Sequence, residues 1–137
     1  MSETNVKEMR IIVAGSRDFK DYSLLSEKLM DYLEDMDNKD VIDNHNQVKF
    51  ISGTARGADE FAYNYGYDVI RFPAKWDELG KRAGYVRNAE MAKYAAEKYG
   101  VLFAFWDGKS KGTKNMIDLA KRYGLEVQVT NYDWRNL

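Results

Sequence analysis

Five short apolar runs alternate along this 137-residue chain with segments whose apolar residues recur every three or four positions. The runs are Met9 to Ala14, Val48 to Ile51, Tyr67 to Phe72, Val101 to Trp106 and Leu125 to Val129. A strand that reads as almost continuously apolar is one covered on both faces, and both faces are covered when helices cross between parallel strands. The alternation therefore predicts an α/β fold with a parallel sheet and helices on either side.

Between the runs, Tyr22 to Met36 carries Leu25, Leu29, Tyr32, Leu33 and Met36 at helical spacing, and Asp21 is placed to cap its start. Asn38 to Gln47 reads as a polar loop. Ala58 to Tyr65 reads as a short helix stopped by Gly66. Pro73 ends the third strand, and Ala74 to Lys81 reads as irregular, with a helical turn near Trp76. Tyr85 to Tyr99 is a strong helix ended by Gly100, and its Ala89, Ala92, Ala95 and Ala96 suit close packing on a sheet. Thr113 to Tyr123 is the last helix, closed by Gly124. The expected architecture is a Rossmann-like three-layer sandwich with a five-stranded, mainly parallel sheet in the order 3-2-1-4-5. Residues 1–8 are expected to fray and residues 9–137 to form one domain, with Trp134 placed to pin the tail.

Composition removes several chemistries. There is no cysteine, so disulfides, thiolate metal sites and cysteine nucleophiles are excluded. The one histidine, His45, lies in a polar turn. Asp31, Glu34, Asp35, Asp37 and Asp40 read as a solvated face, and neither a metal nor a cofactor is expected. A formal charge of −1, from 21 basic and 22 acidic residues, gives no general attraction to nucleic acid or membrane. With no apolar run near the roughly 20 residues of a membrane span, the expectation is a cytoplasmic protein.

Three polar loops follow strand ends: Gly15-Ser16-Arg17-Asp18, Ser52-Gly53-Thr54-Ala55-Arg56-Gly57-Ala58-Asp59, and Trp106-Asp107-Gly108-Lys109-Ser110-Lys111-Gly112-Thr113. In the order 3-2-1-4-5 the chain reverses direction between the first and fourth strands, and ligands bind at the carboxyl ends of strands at such a point. Each loop supplies glycine for close backbone approach, hydroxyls, and a basic side chain. A fourth element, Gly80 to Asn88, concentrates Lys81, Arg82 and Arg87 at a helix start, where the helix dipole is also positive. Together these predict one pocket for an anionic ligand. Neither GxGxxG nor the P-loop ending Gly-Lys-Ser/Thr is present. Asp59 has the competing reading of an N-cap, Asp18 that of a turn residue, and Lys109 and Lys111 that of solvated lysines. Trp76 and Trp106 read first as packing residues and second as base platforms.

With these pieces in this order, from Arg10 to about Val129, the chain resembles the SLOG superfamily. That is the Rossmann-like group holding the LOG phosphoribohydrolases and Smf/DprA. The likeness is to its YspA-like branch of small stand-alone proteins, common in bacteria and phages. The matching pieces are the first two loops with Phe19, Phe72-Pro73-Ala74-Lys75-Trp76, Gly80 to Gly84 with Arg87-Asn88, and Trp106-Asp107-Gly108 through Gly112-Thr113. The resemblance implies a pocket for a nucleotide or a nucleotide-derived ligand such as an ADP-ribose-like molecule, and admits a homodimer. LOG relatives cleave an N-glycosidic bond with a glutamate in a PGGxGTxxE motif; here Gly112-Thr113 is present, but Met116 stands at the glutamate position.

The leading expectation is a nucleotide-ligand binding or sensing domain. Gly15, Ser16, Arg17, Ser52, Gly53, Arg56, Gly57, Gly112 and Thr113 would hold phosphate and ribose, and Arg82, Arg87 and Asn88 would close over the ligand. Asp59 and Asp107 would meet ribose hydroxyls or orient arginines. The second is a nucleotide hydrolase with Asp59 or Glu60 as the catalytic carboxylate. The third is a Smf/DprA-like binder of single-stranded nucleic acid through Lys75, Trp76, Lys81, Arg82 and Arg87, which the net charge disfavours.

Overall fold

The structure, a computed structural model, describes residues 5–16, 18–53 and 56–132, with the side chain of Arg56 excepted. The strands are β1 (Met9–Gly15), β2 (Val48–Ser52), β3 (Asp68–Arg71), β4 (Tyr99–Trp106) and β5 (Glu126–Asn131). The helices are α1 (Tyr22–Asn38), α2 (Arg56–Tyr65), α3 (Trp76–Leu79), α4 (Ala83–Ala96) and α5 (Lys111–Arg122). One sheet runs in the order β3-β2-β1-β4-β5 with every neighbouring pair parallel. This is the Rossmann-like order expected from the alternation of apolar runs.

Alternation along β1 and β4 divides the core in two. Ile11, Val13, Val101, Phe103 and Phe105 face α1 and α2, where they meet Leu25, Leu29 and Phe61. Ile12, Leu102 and Ala104 face α4 and α5, where they meet Met91, Ala92, Ala95, Met116 and Ala120. Because β1 and β4 are buried on both faces, their patterns read as unbroken apolar runs. Asp21 caps α1 by accepting a hydrogen bond from the Leu24 N–H at 3.0 Å.

Four boundaries differ from expectation for physical reasons. Residues 5–8 lie against the fold: the Val6 N–H donates to Val41 O at 2.9 Å, and the Tyr99 N–H donates to Glu8 O at 3.2 Å. α2 begins at Arg56, so Asp59 lies inside its first turn and is not its N-cap. α4 ends at Ala96, with Ala96 itself exposed, and Gly100 is a residue of β4 paired with Arg10. There it permits close approach: a Cβ on Gly100 would lie 2.8 Å from Ala95 O and 2.9 Å from Leu125 Cγ. The polar loop before β2 holds a turn of 3-10 helix at His45–Gln47, and His45 stacks on Tyr67 with ring centroids 3.7 Å apart. Trp134 lies outside the described residues. Among the described residues no helix is long and apolar enough to cross a membrane.

Candidate functional site

The C-terminal ends of β1 and β4 are locked together by a hydroxyl–carboxylate network. The Ser16 N–H donates to Phe105 O at 3.0 Å. The buried Ser16 hydroxyl donates to Asp107 Oδ1 at 3.3 Å and accepts from the Asp107 N–H at 3.2 Å. The same Asp107 oxygen accepts the N–H groups of Ser110 at 2.8 Å and Lys109 at 2.9 Å. Those backbone donors, Ser110 first, hold the Asp107 carboxyl below the usual carboxylate range. Gly108, at φ 82°, allows the chain to turn around that carboxylate. The Ser110 hydroxyl then accepts the Thr113 N–H at 3.3 Å and caps α5, while the Trp106 indole N–H donates to Ser110 O at 3.0 Å. Asp107 and Trp106 thus shape the loop that aims the start of α5 at the sheet edge.

Around this edge the structure has two clefts where the sequence suggested one pocket. They lie on opposite faces of the sheet, and Val13, Ala14 and Gly15 line both. The α4/α5 cleft, about 540 Å³, is walled by Gly53, Trp76, Lys81, Tyr85, Arg87 and Asn88, and by Gly112 and Thr113 at the start of α5. The α1/α2 cleft, about 630 Å³, is walled by Ser16, Phe19, Lys20, Tyr22, Gly57 and Glu60 over a floor that includes Leu25, Ala58 and Phe105. Both volumes fall in the range of roughly 300–1,000 Å³ typical of small-molecule sites. The crest at the end of β1 divides them.

Arg87 dominates the electrostatics of the α4/α5 cleft. Its Nη1 donates to Gly53 O at 2.6 Å and its Nε to Asn88 Oδ1 at 3.1 Å. Among the described residues it forms no ion pair with a carboxylate. Burial without an anionic partner pushes its pKa down. Gly53 is the residue that lets the guanidinium in, since a Cβ there would lie 2.7 Å from Nη1. Asn88, 6% exposed, donates through Nδ2 to Gly112 O at 3.3 Å and Asn115 Oδ1 at 3.1 Å. It ties α4 to the start of α5, with both ends of its amide engaged inside the protein. No carboxylate lines this cleft among the described residues.

The remaining expected residues are scattered. Ser52 is fully buried at the end of β2. Asp59 turns from both clefts toward Arg71, with Nε to Oδ2 at 3.6 Å, and its buried Oδ1 has no hydrogen-bond partner among the described residues. Glu60 is exposed at the wall of the α1/α2 cleft, in the compartment opposite Arg87. Arg82 is exposed and lines neither cleft. Lys109 and Lys111 are exposed. Arg17 and the side chain of Arg56 lie outside the described residues.

Lys20 and Tyr22 carried no sequence signal as ligand contacts. They follow the first loop and come to the α1/α2 cleft only because α1 starts there. Trp76, read first as a packing residue, is 59% exposed at the mouth of the α4/α5 cleft beside Tyr85. Tyr132 closes the edge near the first loop: its hydroxyl donates to Asp18 Oδ1 at 2.6 Å and its ring packs on Phe19. Burial and that carboxylate push the Tyr132 hydroxyl up to about 12. No cluster of three or more His, Cys, Asp or Glu side chains able to hold a metal ion occurs among the described residues.

No family model matches the chain, and no solved structure matches it. The Gene 61 protein of Mycobacterium phage D29 is 32% identical over 127 residues, a match covering 86% of this chain and 93% of the phage protein. At that identity and coverage of both chains, the chain belongs to the same family as the Gene 61 protein of Mycobacterium phage D29.

Proposed function

We propose that this protein binds a nucleotide or nucleotide-derived ligand at the C-terminal ends of the strands, as a binding or sensing domain, with the anionic part of the ligand in the α4/α5 cleft. One observation carries the reading. Arg87 is a partly buried cation with no carboxylate partner among the described residues, in a cleft that adds Lys81 and no acidic lining residue. A desolvated charge is costly until it is paired, and a phosphate supplies the missing anion together with acceptors for the guanidinium. Gly112, in the first turn of α5, lines the same volume, where the helix start is positive. Exposed Trp76 and Tyr85 offer flat faces on which a base can stack. The SLOG resemblance of the loops agrees with this assignment.

Met116 bears on the choice between binding and hydrolysis. It is buried and apolar where the LOG motif has its glutamate, and it forms part of the cleft wall. A second reading, nucleotide hydrolysis, is favoured by Glu60, whose carboxylate is exposed along the other cleft.

Thermal shift and product analysis on the same samples separate the two. The protein is incubated with AMP, ADP-ribose, NAD and cyclic nucleotides. Saturation at a hundred times Kd adds about 2.7 kcal/mol of stability. Stabilisation by at least one of these without turnover, lost in Arg87→Met, is the expected result. Release of base or ribose phosphate that Glu60→Gln abolishes replaces binding with hydrolysis. No shift with any nucleotide, in a protein that binds single-stranded oligonucleotide with steep salt dependence, overturns both.

A further inference from the structure

We infer that α3 and the two residues leading into it, 74–79, form a lid that swings on Gly80 and closes Trp76 over a ligand held in the α4/α5 cleft. This rests on the nucleotide reading of that cleft and adds how the site is gated.

The first argument is tethering. The Phe72 N–H donates to Ser52 O at 2.8 Å, and there the chain leaves the sheet. The next buried residue is Ala83, 1% exposed at the start of α4. Between them, over residues 73–82, every residue is exposed or half-buried. No side chain in that stretch makes a hydrogen bond or ion pair among the described residues. Its backbone bonds are local: the N–H groups of Glu78 and Leu79 donate to Lys75 O at 3.1 and 2.9 Å, that of Gly80 to Trp76 O, and that of Ala83 to Gly80 O. α3 therefore moves as a unit without breaking a side-chain bond to the fold. Segments with few buried contacts are the ones that open at low cost.

The second argument is the pivot. Gly80 stands at φ 61° and ψ −137°, a conformation that glycine adopts freely and other residues hardly at all. Nothing lies within 4 Å of a Cβ built on it, so the backbone and not the packing calls for glycine there. At the other end, the ring of Pro73 fixes the direction in which the chain leaves β3.

The third argument is what the lid carries. Trp76 lines the α4/α5 cleft yet is 59% exposed. A Cβ built on Gly84 would lie 3.4 Å from Trp76 Cη2, so only the tip of the indole rests on the first turn of α4. Closure buries the rest of the ring against the ligand. A contact made in the closed state alone is what lets a ligand shift the balance between open and closed. Asp77 and Glu78 are exposed and line neither cleft, which keeps the carboxylates of the lid away from the phosphate. Lys81 and Arg87 follow the pivot and stay with α4 when α3 moves.

Temperature-jump fluorescence of the full chain with AMP, ADP-ribose, NAD or cyclic AMP tests this, beside thermal shift on the same samples. The expected result is two relaxations. The rate of one rises in proportion to nucleotide; the rate of the other levels off, because closure is unimolecular and falls in the microsecond-to-millisecond range of lid motions. Trp76→Phe keeps a ring for stacking and removes the second relaxation from the fluorescence. Gly80→Ala leaves every side chain that lines the cleft in place and changes the plateau rate by about threefold or more. A plateau unchanged in Gly80→Ala, or a second relaxation that survives Trp76→Phe, overturns the lid. So does a thermal shift accompanied only by a relaxation proportional to nucleotide, and that outcome leaves the nucleotide reading standing. No thermal shift with any of the four overturns the nucleotide reading and this inference with it.

Discussion

Replacing Gly100 with alanine tests the packing that brings the sheet and α4 into register. Gly100 has no positive φ, so the substitution adds no backbone strain and the whole effect comes from the added methyl. That methyl lies 2.8 Å from Ala95 O, about 0.7 Å inside an ordinary contact of about 3.5 Å. The carbonyl cannot turn aside, because it belongs to the last turn of α4 and accepts the Lys98 N–H at 3.2 Å. Leu125 Cγ, 2.9 Å away on the other side, is a branch point of a buried side chain. Relief therefore requires α4 to move off β4, and overpacking of this kind costs about 1–3 kcal/mol. Unfolding entropy of about 2.1 cal/mol/K per residue over 137 residues converts this into a fall in Tm of about 3–10 °C. Gly112→Ala is the matched control: nothing lies within 4 Å of its Cβ, and α5 should gain up to about 1 kcal/mol. Calorimetric melting of the two variants beside the parent protein is the assay. A Gly100→Ala variant that melts with the parent refutes the close-approach argument.

Three further outcomes are expected. Arg10, 7% exposed, donates to Glu8 at 2.5 Å and to Tyr94 O at 2.6 Å, and stacks over the Tyr94 ring at 3.8 Å; its change to alanine should cost about 2–4 kcal/mol in urea unfolding, and a loss under 1 kcal/mol would sink the view of it as a buried anchor. Asp107 has a depressed folded-state pKa, so its contribution is complete above the ordinary carboxylate range and disappears as the pH falls below about 4. Asp107→Ala should flatten that part of the acid branch of the stability profile, and an unchanged slope argues against the carboxylate as the organiser of its loop. Trp76→Ala should leave Tm within about 2 °C of the parent, because the ring is mostly exposed, while weakening nucleotide binding about tenfold or more; unaltered affinity removes Trp76 from the site.

The fold was legible because hydrophobic pattern is a local property. The apolar runs of β1 and β4, the helical spacing in α1 and the Asp21 cap are each written within a few consecutive residues. Boundaries set by distant partners were not. Gly100 has the look of a helix stop, and only the approach of Ala95 and Leu125 makes it a strand residue. Residues 5–8 look like a free end, and only pairing with Val41 and Tyr99 holds them.

The same division runs through the site. The sequence determined that three glycine- and hydroxyl-bearing loops and a basic helix start would gather at one edge, because parallel strands all place their C-terminal ends there. Side-chain direction decided the rest. Asp59 and Glu60 are neighbours in sequence, yet helical geometry turns Asp59 to Arg71 and leaves Glu60 on a cleft wall. Asn88 was expected to close over a ligand, and its amide also joins α4 to the start of α5. The separation of a cleft walled by Lys81 and Arg87 from one walled by Lys20 and Glu60 depends on which face of the sheet each loop overhangs, and no local stretch of the chain encodes that.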